Sequence, residues 1–131
     1  MVTMPTNLYC KIYVNTHLTN SNFRRLIANI LSGTVQRRTV YSKELIVDIN
    51  KNEYFDDTMF SGNEDEFLFY QFYLDIQPSH PDDEKSYIAE VSRLLEELWR
   101  NAGKAVAACD FEDILPNKGG IALLNQRHPD L

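Results

Sequence analysis

Asp110, Glu112 and Asp113 place three carboxylates within four positions. Oxygen ligands of this kind suit Mg²⁺ or Ca²⁺. The alternating acids around a central glycine that mark a calcium loop are missing, so a structural role or a protein contact is expected here. A metal-dependent enzyme built on the same three residues is the competing reading. The thiols, Cys10 and Cys109, have no spaced histidines to complete a four-ligand zinc site. His17, His80 and His128 fall in loops or the tail, and His80 and His128 each precede a proline. No motif gives them a nucleophile or an orienting acid. Gly119 and Gly120 follow Asn117 and Lys118 in a tail, not a strand-to-helix turn, so no phosphate-cradling loop is expected. Nothing fixes a pair of carboxylates at glycosidase spacing. The chain is therefore expected to lack enzymatic activity, cofactor and metal.

Charge offers a different chemistry. Residues 1–51 carry seven basic against two acidic side chains, a net of +5, and residues 52–131 carry six against seventeen, a net of −11. Glu53, Asp56, Asp57, Glu64, Asp65 and Glu66 follow one another with no Lys or Arg between. Such a run is either a solvated loop or a docking surface for a basic partner. Asp56, Asp57, Glu64, Asp65 and Glu66, with Asp110, Glu112 and Asp113, are the candidate contact residues.

The elements that must carry these groups follow from periodicity. Leu8, Cys10, Ile12 and Val14 alternate with Tyr9, Lys11 and Tyr13, predicting a strand over residues 7–15. Phe23, Leu26, Ile27, Ile30 and Leu31 recur at helical spacing, and Gly33 stands where a left-handed helix end is common. Residues 43–51 alternate again as a strand, which residues 35–41 extend across a bulge or lead into as a loop. Residues 66–77, dense in aromatics, predict the strongest strand. Pro81 with Asp82, Asp83 and Glu84 announces a helix whose stripe is Ile88, Val91, Leu94, Leu95, Leu98, Trp99 and Ala102. Residues 104–109 form a last short strand.

That order, βαββαβ, predicts a single α+β domain over residues 1–131. The expected form is ferredoxin-like: a four-stranded antiparallel sheet with two helices on one face and a C-terminal extension over residues 109–131. The first and third strands would be central, with the last flanking the first, so Cys10 and Cys109 come close as reduced thiols. The open face would then present Tyr9, Tyr13, Phe67, Phe69 and Tyr73. RNA-binding sheets stack bases on such aromatics, but the glycines and basic residue of that signature are absent around Phe67 and Phe69. The expected cover is the tail, through Phe111, Ile114, Leu115 and Ile121, with a partner or a second copy as the other possibility.

Composition sets outer limits. The 131 residues are 44% hydrophobic and 24% charged with a net charge of −6, which opposes nonspecific nucleic-acid binding. No apolar run approaches the ~20 residues of a membrane span. Residues 1–7 show no basic stretch followed by an apolar one, which predicts a cytoplasmic chain.

The stretch 103–120, Gly-Lys-Ala-Val-Ala-Ala-Cys-Asp-Phe-Glu-Asp-Ile-Leu-Pro-Asn-Lys-Gly-Gly, resembles the ending of small bacterial immunity proteins of contact-dependent growth inhibition and related polymorphic toxin systems. The aromatic strand and the helix bearing Leu94 to Trp99 fit the same resemblance. It implies a monomer or weak homodimer that binds and neutralises a cognate toxin domain, with no nucleic-acid or membrane partner. A basic nuclease is the implied toxin, since such domains must hold phosphates. The alternative function is a ferredoxin-like regulatory or small-ligand-binding domain acting as a dimer.

Overall fold

The computed structural model of the chain describes residues 7–60 and 65–125. It is a mixed α/β fold with an antiparallel sheet and three helices. In chain order these are β1 (Cys10–Thr16), α1 (Asn20–Leu31), β2 (Thr34–Gln36), β3 (Thr39–Tyr41), β4 (Leu45–Lys51), β5 (Phe72–Pro78), α2 (Glu84–Asn101), β6 (Gly103–Cys109) and α3 (Ile121–Asn125). The sheet has six strands, ordered β2-β3-β4-β5-β1-β6, not the four expected. The two additional strands come from residues 34–41, which fold into a hairpin and extend the sheet beyond β4.

The inner register places β1 between β5 and β6, with Ile12 opposite Leu74 on one side and Ala107 on the other. Cys10, Ile12, Val14, Val47, Leu74 and Ile76 all point to one face by the two-residue strand period. Phe23, Ile27 and Leu31 of α1 and Val91, Leu94, Leu95 and Leu98 of α2 bury against that face. Thr19 caps α1 through its hydroxyl, which accepts the Asn22 amide at 3.2 Å, and Asp83 caps α2 on the Ser86 amide at 3.2 Å. Ser32, not Gly33, takes the left-handed position after α1, at φ 52°. Gly33 serves close approach instead: a Cβ there would stand 2.7 Å from the Tyr41 carbonyl oxygen.

The aromatic stretch departs most from expectation. Only Phe72–Pro78 is strand, and Glu66–Phe69 is a 3₁₀ turn. The turn lies across the far face of the sheet, where Phe67 meets Tyr13 edge-to-face at 5.2 Å. The aromatics before Phe72 thus cover the sheet rather than join it.

The tail divides between the faces. Phe111 and Leu115 enter the helix-side core, where Phe111 packs on Tyr87 at 5.9 Å. Ile114 is exposed. Gly119 and Gly120 then pass the outer edge of β6, and α3 delivers Leu124 and Ile121 to Tyr70 and Val106 on the opposite face. The expected cover over the open face is therefore made by α3 and by the segment before β5, not by Phe111, Ile114 or Leu115. Among the described residues no helix is long and apolar enough to cross a membrane.

Candidate functional site

Between β4 and β5 the chain leaves the sheet, and buried Asn52 organises its path. The Asn52 side-chain amide donates to the carbonyls of Leu68 at 3.0 Å and Tyr70 at 2.8 Å. Its side-chain oxygen accepts the Tyr54 amide at 3.1 Å. The Asp56 amide donates to the Phe69 carbonyl at 3.1 Å, closing the two halves of the loop on each other. Asp56 also caps the short 3₁₀ turn Asp57–Met59, accepting from the Thr58 amide at 3.0 Å and the Thr58 hydroxyl at 2.6 Å. Phe60 anchors the turn from below, edge-to-face on Tyr70 at 5.3 Å.

This scaffold holds apolar side chains outward. Tyr54 is 69% exposed, and Phe55, Met59 and Leu68 are 45%, 44% and 42% exposed. Glu53, Asp56, Asp57 and Asp65 stand exposed around them. Beside Tyr54 and Leu68 a groove of about 340 Å³ runs onto the sheet between Phe69, Tyr13, Tyr73 and Lys11. The Lys11 ammonium lies 4.6 Å from the Tyr73 ring centre, within cation–π reach.

Glu66 does not belong to that exposed rim. It is fully buried, and its Oε2 accepts the Tyr70 hydroxyl at 2.8 Å and pairs with the Lys104 ammonium at 3.1 Å. A carboxylate with no solvent access cannot meet a partner at the surface, so its expected docking role gives way to tying the loop to β6. Glu64 lies outside the described residues.

The second acidic group lies elsewhere. Asp110, Glu112 and Asp113 follow the Cys109 end of β6, while the loop leaves from the end where Val14 pairs with Phe72 and Phe72 with Lys51. A seven-residue strand separates the two sets by roughly 20 Å. Glu112 is committed locally, accepting the Cys109 amide at 3.0 Å, while Asp110 and Asp113 are exposed. Among the described residues no three His, Cys, Asp or Glu side chains gather where a metal could be held. His17 and His80 are exposed loop residues, and His128 lies outside the described residues.

Cys10 and Cys109 are direct cross-strand partners and both are free thiols. The neighbouring Cys109 thiol, together with burial, pushes the Cys10 thiol far up. The same pairing, with help from the Phe111 backbone, lowers Cys109. On the open face, Tyr9 donates to Asp75, whose other oxygen accepts from Asn50 Nδ2 at 3.1 Å. Burial and then the Asp75 bond hold the Tyr9 phenol well above its ordinary range.

Sequence reasoning located the loop's carboxylates but missed Tyr54, Phe55, Met59 and Leu68 as outward groups. Aromatic density was the available signal, and strand periodicity absorbed it. No family model, curated protein or solved structure matches the chain.

Proposed function

We propose that this chain is an immunity protein that acts by binding, docking a basic toxin domain on the loop between β4 and β5. The observation that carries the reading is the patch of Tyr54, Phe55, Met59 and Leu68 with Glu53, Asp56, Asp57 and Asp65 around it. Tyr, Phe and Met are enriched at interface centres, and a charged rim steers the approach of an oppositely charged partner. The resemblance over residues 103–120 supports the same reading. The chain then works in the cytoplasm of the producing cell, with no chemistry of its own. Within this reading the scaffold is a ferredoxin-like core of β6, β1, β5 and β4 with α1 and α2, widened by the β2–β3 hairpin.

The test is co-expression with the variable C-terminal domain of a large secreted protein encoded just upstream, followed by kinetics on the purified pair. Tyr54→Ala with Phe55→Ala should speed dissociation about tenfold or more. Glu53→Gln with Asp57→Asn should slow association, most at low salt, while the melting temperature stays within about 2 °C of the parent. Cell death despite abundant folded protein, or unchanged rates in both variants, would sink the docking assignment. Absence of any such upstream domain would remove the immunity reading itself.

A further inference from the structure

On the opposite margin of the sheet this acidic chain holds a basic concavity. Gln36 pairs with Thr39, so the β2–β3 hairpin turns on two residues, Arg37 and Arg38. With Arg24 of α1, and with Thr39 and Tyr41, they line a cleft of about 640 Å³, larger than the groove beside Tyr54. Arg24 Nε is shut off from solvent and has no acceptor. Among the described residues Arg93, Arg100 and Lys104 each have a carboxylate partner, while Arg24, Arg37 and Arg38 form no ion pair. The carboxylate across the sheet from Thr39, that of Asp48, is held by the Thr39 hydroxyl at 2.5 Å. Arg37 sits at φ 60°, a conformation that two-residue hairpins usually give to Asn, Asp or Gly. The turn gains nothing from an arginine there, and like charges in one cleft repel until an anion joins them.

We propose that this cleft binds a phosphate group, carried free or as a small phosphate ester. Guanidinium forks satisfy oxyanions in paired hydrogen bonds, and three of them call for more oxygens and more charge than one carboxylate supplies. A phosphate monoester brings three acceptor oxygens and a charge near −2 at neutral pH. Tyr41 at the wall of the cleft offers a ring to an ester's organic part.

The experiment is a ¹H–¹⁵N NMR titration of the whole chain with sodium phosphate, AMP and sodium acetate at matched ionic strength. Phosphate or AMP should give saturable shifts at residues 36–39 and in the Arg24 guanidinium that lines the cleft, and acetate should not. Arg24→Gln and Arg38→Ala should each weaken binding about tenfold or more. Arg24→Lys keeps the charge without the fork and should still lose most of the affinity, which guards against misfolding as the cause. AMP binding more tightly than phosphate identifies an ester as the ligand, and equal affinity identifies the free anion. Shifts that follow ionic strength alone, saturation by acetate, or binding that survives Arg24→Gln and Arg38→Ala would overturn the proposal.

Discussion

On one face of the sheet Ile12, Val14, Leu74 and Ile76 meet Phe23, Val91 and Leu95, all essentially without solvent contact. On the other, the same strands present Lys11, Tyr13, Tyr73 and Asp75, with Tyr9 just before β1, and only the end near Val14 is covered. That cover is a small cluster of Tyr70, Val106 and Leu124 with a carboxylate and an ammonium at its margin. The first face is closed by two amphipathic helices, whose burial is nondirectional and scales with apolar area. The second is closed at one end by the short α3 and by irregular chain, whose backbone polar groups must each find a partner, as Asn52 provides for Leu68 and Tyr70. The lesson is that cover made by irregular chain depends on a few specific hydrogen bonds, and that aromatic and charged side chains stand on what remains open.

Substitutions can break that contrast in order of effect. Leu95→Ala on the helix side removes a fully buried side chain and should cost about 2–5 kcal/mol in urea melts. A loss below about 1 kcal/mol would place Leu95 outside the core. On the second face, Gly120 has φ 105° and its Cβ position falls on the Ala105 carbonyl. Gly120→Ala should cost about 1–3 kcal/mol and detach the tail from β6, read as faster amide exchange across residues 103–109 with a change in Trp99 fluorescence. Trp99 reports because its indole N–H donates to that same carbonyl at 2.9 Å.

Lys104→Met tests the ion pair at the margin. The lysine side chain is 40% exposed, so water screens the pair and the loss should be about 1–2 kcal/mol. A neutral or stabilising result would show that the apolar cluster alone holds the loop. The smallest effect is a slope with pH. Tyr9 titrates higher when folded than when unfolded, because burial and the Asp75 bond favour the neutral phenol. Its contribution is complete below the unfolded pKa of about 10 and is lost as pH rises through the folded value, since unfolding then releases a proton. Tyr87 and Tyr13 act in the same direction. Melts at pH 8 and pH 10.5 should therefore show a shallower fall in Tyr9→Phe than in the parent, and equal falls would mean that the phenol is not held.

Local pattern determined the helix-covered half. The alternation over Cys10–Val14 and Leu45–Ile49 and the stripe from Val91 to Leu98 each state which side is apolar, and a core needs little more than that statement. From those elements the central pairing of β1 with β5 and the meeting of Cys10 with Cys109 followed. The β2–β3 hairpin was not legible, because its strands are three residues long, no residue of β2 is buried and its turn is Arg-Arg rather than Asn-Gly. Glu66–Phe69 was misread because aromatics that cover a sheet and aromatics within one have the same composition. The carboxylates of the candidate site were visible as types, yet Glu66 and Asp57 look alike in the chain and only packing separates them. The sequence by itself determined which residues are apolar and with what period, since these depend on neighbours a few positions away. Tertiary structure alone decided which carboxylate is buried against Lys104, which aromatics face outward and where three arginines converge, because each depends on segments that meet only after the sheet has formed.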